Sequence, residues 1–231
     1  MNSKDFVAKI VADNQALFQA SQHNVKAYFD SKPAQSELVD HFIGRMVNER
    51  MNMVEISQAI ASMPADTDPV ELQLLTQQAA DEAIHFRMVK EVIEHITGAP
   101  VDVEAAIAKE SAKPTAKGAG LLAKYDAESD PVALAAYQLV AEGRAEAVWN
   151  TMAECIEDEF ISKSYAKIAK DEGFHSKIGA RKLEQLVTDA EIAAKVETLV
   201  SAMRKDLYDI SCKNTVAAEA GRELVADAYG W

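Results

Sequence analysis

The sequence predicts an all-α protein: a four-helix bundle with one long crossover connection, flanked by a further helix at each end. Three observations carry this. Apolar residues recur at steps of three and four through most of the 231 residues, which is the helical period. All six Pro fall between these periodic segments. The 33 residues from 98 to 130 separate the second core segment from the third, far more than a turn between neighbouring helices needs. The chain reads as a single domain, 1–231, with the core over about 36–187 and flanking helices over about 3–30 and 189–219.

Bulk properties narrow the function classes. A net charge of −13 argues against a nucleic-acid partner or an anionic membrane surface. No apolar run approaches the roughly 18 to 20 residues of a membrane span. Charges interrupt the apolar residues of the N-terminal stretch MNSKDFVAKIVADNQ, so it does not read as a signal peptide. Cys155 and Cys212 have no metal-binding or redox spacing, and a reduced, cytoplasmic protein is the simplest reading.

In chain order, Phe6, Ile10, Val11, Leu17, Phe18 and Val25 mark an amphipathic helix that Lys32-Pro33 ends. From Ser36, a plausible N-cap, the stripe Val39, Phe42, Met46, Met53, Ile56, Ile60 lacks one slot, and Glu49 fills it. A carboxylate inside a core stripe needs a partner, because unpaired burial is costly. Asp68-Pro69-Val70-Glu71 opens the next helix as a capping box. Its stripe of Leu72, Leu75, Ala79, Val89, Val92 and Ile96 includes Glu82 and His85. Glu49 and Glu82 lie nearly equidistant from the intervening turn, so an antiparallel hairpin sets them face to face.

The long connection, with a short helix around 103–111, is able to travel back along the bundle. Asp130-Pro131 then starts a third helix with stripe Val132, Ala135, Leu139, Glu142, Glu146, Trp149, Ala153, Ile156. The fourth, from about Ser162, carries Tyr165, Ile168, Glu172, His175, Gly179, Leu183 and Leu186. Thr188-Asp189-Ala190-Glu191 caps a last long helix over 191 to about 219, which Ala220-Gly221 would interrupt.

Asp81-Glu82-Ala83-Ile84-His85 and Asp171-Glu172-Gly173-Phe174-His175 repeat one pattern, Asp-Glu-x-x-His. Residues three apart on a helix share a face, so in each copy a carboxylate oxygen and an imidazole nitrogen can converge on one metal ion. A lone Glu precedes each pair: Glu49 by 33 residues, and either Glu142 by 30 or Glu146 by 26. The helical stripe does not separate the last two; the turn-to-ligand distance favours Glu142 and leaves Glu146 as a neighbouring or alternative ligand.

With these residues in place, the chain resembles the ferritin-like di-iron carboxylate proteins over roughly residues 36–187. The resemblance implies Glu49, Glu82, His85, Glu142, Glu172 and His175 as metal ligands, with Glu82 and Glu172 bridging, and leaves any catalytic residue beyond them unidentified. It implies two iron ions, or manganese, with dioxygen as co-substrate. The expected function is a di-iron oxygenase or oxidase acting on a small organic substrate and fed by an external electron donor such as a ferredoxin or reductase. The alternative is iron oxidation and storage or peroxide removal, as in ferritins and rubrerythrins. The long connection and flanking helices favour the oxygenase, as a monomer or homodimer. A cavity lined by Trp149, Phe86, Phe174 and Met46 would suit an apolar substrate.

Overall fold

The computed structural model describes residues 2–113, 120–127, 129–214 and 219–231. Among them every regular element is a helix, as expected. Two helices, α1 (Ser3–Asp13) and α2 (Gln15–Asp30), replace the single one expected over 3–30. The cause lies at the other end of the chain. In an unbroken helix the Leu17 amide donates to the Asp13 carbonyl. Here the Tyr229 hydroxyl stands between them, accepting from Leu17 N at 3.2 Å and donating to Asp13 O at 2.6 Å. A side chain inserted into the ladder in this way breaks the run. Asn14, fully buried at the break, accepts from Arg204 Nε at 2.7 Å.

The next two helices, α3 (Gln35–Ser62) and α4 (Pro69–Thr97), pack along each other antiparallel, and Gln35 Nε2 donates to the Ile96 carbonyl at 2.7 Å. The N-cap of α3 is Ala34 rather than Ser36, because the Glu37 carboxylate accepts from Ala34 N at 2.8 Å. Asp68 caps α4 by accepting from Val70 N at 2.9 Å, while Glu71 turns away to pair with Lys182. Gly98, at φ +67°, closes α4.

Within the long connection, α5 (Val103–Ala112) lies against α3, where Lys109 and Lys113 reach Asp40 at 2.6 and 3.1 Å. A single short turn, α6 (Leu121–Lys124), follows; Pro114 and Gly118 lie outside the described residues. The third core segment is interrupted: α7 (Pro131–Tyr137) passes through a π-helical turn, Gln138–Glu142, into α8 (Gly143–Cys155). Asp158 caps α9 (Glu159–Leu186), which therefore starts before Ser162, and it also meets His95 Nε2 at 2.9 Å. So α9 starts where α4 ends, and α8, one short turn before it, runs parallel to α4.

Finally come α10 (Ala190–Asn214) and α11 (Glu219–Tyr229). Residues 215–218 of the expected last helix lie outside the described residues, and Gly221 sits inside α11 against α2 instead of interrupting a helix. Every residue from Val132 to Gly143 is buried, because α9 covers one side of this segment and α10 another. Two apolar clusters result. One joins Leu17, Ile56, Leu75, Leu139 and Val200; the other joins Phe42, Met46, Val89, Trp149 and Tyr165. Between them lies a polar layer.

Candidate metal centre

Helix length sets the level of that layer. Glu49 stands 13 residues before Ser62 and Glu82 stands 13 after Pro69. Glu142 stands 13 before Cys155 and Glu172 stands 13 after Glu159. Two hairpins of equal reach thus raise four carboxylates to one height, and the helical step of three adds His85 and His175 on the same face. All six side chains are at most 3% exposed.

These residues fall into two groups whose candidate ligand atoms lie within 4.8 Å of one another: Glu49, Glu82, His85 and Glu172; and Glu82, Glu142, Glu172 and His175. Glu82 and Glu172 belong to both. Glu146, by contrast, is outside the cluster: its carboxylate occupies the space where a side chain at Gly173 would begin. Gly143 likewise leaves room for the Phe18 ring and the Ser176 hydroxyl.

Each imidazole is held from behind. His85 Nε2 meets Asp171 Oδ2 at 3.2 Å, and His175 Nε2 meets Asp81 Oδ2 at 3.3 Å. A carboxylate at Nε2 keeps the proton there and turns the Nδ1 lone pair inward, the arrangement that metal-binding histidines need. Inward, His85 Nδ1 lies 3.8 Å from Glu49, 3.8 Å from Glu82 and 3.7 Å from Glu172; His175 Nδ1 lies 3.2 Å from Glu172 and 3.5 Å from Glu82. The two aspartates are the first residues of the repeated Asp-Glu-x-x-His motif. The repeat was visible in the sequence, but a role for its Asp was not, since only packing shows that each serves the histidine of the other hairpin. Two further residues were missed: Gln78 Nε2 donates to Glu142 Oε1 at 3.0 Å, and Gln138 Nε2 donates to Gln78 Oε1 at 2.7 Å.

The electrostatics describe a site crowded with negative charge. Burial, reinforced by the neighbouring Glu172 charge, pushes Glu82 up to about 8 and Glu142 well above the usual carboxylate range. Burial alone would lower both histidines. For His85 it is outweighed by the bond to Asp171 and the nearby carboxylates of Glu49 and Glu82, and for His175 by bonds to Asp81 and Glu172, which raise His175 to about 9. Burial would raise Glu172, but its bonds to His175 and the charge of His85 bring it below its ordinary value. Against the same burial, His85 and Lys167 hold Asp171 down at about 2.

The donor set of the first group fits a cation by an independent observation. Glu49 Oε2, both carboxylate oxygens of Glu82 and His85 Nδ1 are buried without any hydrogen-bond partner. Buried polar atoms are normally satisfied, and four orphans at one point is the arrangement a bound ion would relieve. Carboxylate oxygens with one imidazole per group suit iron or manganese. The expected apolar cavity does not form as a unit: Met46 and Trp149 are buried, while Phe174 is 40% exposed and lines an outer cleft beside Asp81 and Asp171.

No protein family of known sequence pattern matches the chain, and no curated protein matches it in sequence. A solved structure does. The chain is similar to the crystal structure of a TenA homolog from Pseudomonas syringae pv. tomato. The TM-score is 0.63 at 14% identity, over 90% of this chain and 92% of that one. A likeness at this identity speaks for the fold alone, and that fold is a helical one other than the ferritin-like bundle. The oxygenase or oxidase expectation, its alternative of iron storage or peroxide removal, and dioxygen as co-substrate are corrected accordingly. Each was carried by the family resemblance rather than by the residues, and a fold analogy does not transmit a reaction. Among the described residues no helix is long and apolar enough to cross a membrane.

Proposed function

We propose that this chain is a metal-dependent enzyme that holds two divalent ions, iron or manganese, in its interior. Glu49 and His85 would serve one ion, Glu142 and His175 the other, with Glu82 and Glu172 shared. The observation that carries the first ion is the set of orphaned atoms on Glu49, Glu82 and His85, and the second ion is supported by the matching group of Glu82, Glu142, Glu172 and His175. When bound, such ions supply Lewis-acid charge inside a site that the protein keeps dry.

The chain's own residues divide the remaining work. Asp81 and Asp171 fix the imidazoles and keep the Nε2 protons off the ligand face. Gln78 holds the Glu142 carboxylate at 3.0 Å. Met46, Val89, Trp149 and Ile168, all buried, close one side of the layer to water.

Metal analysis after loading with ferrous or manganous ion tests the proposal. Two ions per chain are expected, falling by at least one in His85→Ala and in His175→Ala, with the helical circular-dichroism signal retained. Full stoichiometry in both variants would sink the proposal.

A further inference from the structure

A second site lies two hydrogen bonds from this centre. The first turns of α4, the start of α7 and the last turns of α9 line an open-mouthed cleft. Leu74, Leu134 and Ile178 give it an aliphatic wall. Its cations are Arg181 and Lys182. Lys182 is spent on Glu71, but Arg181 has no ion-pair partner among the described residues. The other carboxylate in the wall, Asp68, accepts from the Val70 amide as the cap of α4. At the buried end stands Gln138, 2% exposed. Gln138 is also the start of the chain Gln138–Gln78–Glu142, with links of 2.7 and 3.0 Å, that ends on a proposed metal ligand.

An apolar trough with one unpaired guanidinium at its rim is complementary to a molecule with an aliphatic body and a single anionic end. A guanidinium pairs with a carboxylate through two parallel hydrogen bonds, which an ammonium or alcohol cannot reproduce. We propose that this pocket binds an aliphatic monocarboxylate, carboxylate on Arg181 and chain along Leu74, Leu134 and Ile178, as the substrate-recognition site of the metal centre. The catalytic meaning rests on the two-metal reading; the binding does not. The Gln138–Gln78 pair is the route by which occupancy is felt at Glu142, and linkage makes that influence mutual.

Calorimetric titration with octanoate, octylamine and octanol tests this, using protein loaded with manganese and protein stripped of it, with metal counted on every sample. Octanoate is expected to bind one per chain, at least roughly tenfold more tightly than octylamine or octanol. Arg181→Gln should weaken octanoate roughly tenfold and leave the metal count unchanged. Val70→Glu places a carboxylate at the mouth on a residue already 46% exposed, so folding is not at issue, and it should weaken octanoate as well. Octanoate should also bind the loaded and stripped forms with affinities at least threefold apart.

Equal binding of octylamine, or no effect of either substitution, overturns the assignment of ligand class. Equal affinity with and without metal overturns the link to the centre. A solution mass of two chains that falls to one in Val70→Glu assigns this face to a second copy instead. Failure to load metal removes the proposed function, while the octanoate titration still decides the pocket.

Discussion

At the scale of single residues, the two aspartates behind the histidines carry the sharpest consequence. Asp81 and Asp171 touch no proposed metal position, yet each sets the tautomer and angle of an imidazole. Replacing either by Asn keeps the volume but removes the negative charge that favours a protonated Nε2. The expected result is a metal affinity lower by roughly 10- to 100-fold at the paired histidine, with stoichiometry restored at high metal. Equilibrium dialysis against manganese reads this directly. Unchanged affinity in both variants would show that burial alone orients the rings. These aspartates mark the boundary of what the sequence disclosed. Glu49, Glu82, His85, Glu142, Glu172 and His175 were readable because each breaks an apolar stripe with a group that is expensive to bury. Asp81 and Asp171 stand at the edge of their stripes, where a solvated carboxylate is the ordinary expectation. Their partners are 94 and 86 residues away in the chain, and no local pattern announces such a contact.

Among the elements, the π-helical turn Gln138–Glu142 is the one most directly tied to the site, since Glu142 is its last residue. Such turns are uncommon and cluster at functional positions. Two contacts from α9 hold it. The Ser176 hydroxyl donates to the Leu139 carbonyl at 3.2 Å, supplying a partner where the regular ladder is disturbed. Gly179 lets the two backbones meet: a methyl group there would come within 2.5 Å of Ala135 O and 2.7 Å of Leu139 N. Backbone atoms cannot swing aside as a side-chain tip can. Gly179→Ala is therefore expected to destabilise by about 1 to 3 kcal/mol, despite the better helix propensity of Ala, and to weaken metal binding by displacing Glu142. Chemical denaturation with a parallel metal titration checks both; a gain in stability would show that the turn yields freely. The sequence hid this turn because every residue from Val132 to Gly143 is buried, and a segment apolar all round has no phase to read.

The helix break at Asn14 was hidden for a different reason, as it depends on Tyr229 at the far end of the chain. Tyr229→Phe removes the hydroxyl that serves both Leu17 N and Asp13 O. A cost of about 1 to 2 kcal/mol is expected, from one or two hydrogen bonds lost in a partly buried place. Metal stoichiometry should stay at the wild-type value, because none of these atoms belongs to the polar layer. A loss of metal in this variant would mean that α1, α2 and α11 hold the centre together rather than merely cover it.

The whole molecule's stability should depend on pH in a direction set by its buried centre. Without metal, His175 holds its proton up to about 9 against an ordinary 6.5, and Glu82 up to about 8 against 4.5. A group that binds its proton more tightly when folded contributes stability that is complete below its unfolded pKa and is lost as pH rises through the folded one. Both groups therefore act in the same direction, and the metal-free protein should weaken steadily between about pH 6.5 and 9. The lowered carboxylates, Asp81, Asp171 and Glu172, act the other way but only in acid, since their contribution is lost as pH falls below the ordinary carboxylate range. Bound metal reverses the logic at neutral and alkaline pH, because ligands must give up protons to coordinate and binding tightens as they do. Thermal melts at pH 6.5 and 9.5 should thus show the metal-free Tm falling by at least about 5 °C, and the manganese-saturated Tm falling less or rising. In His175→Ala the metal-free fall should shrink, since one of the responsible protons is gone. Equal falls with and without manganese would place the titrating groups outside the centre, and would separate the charge of this interior from any metal it holds.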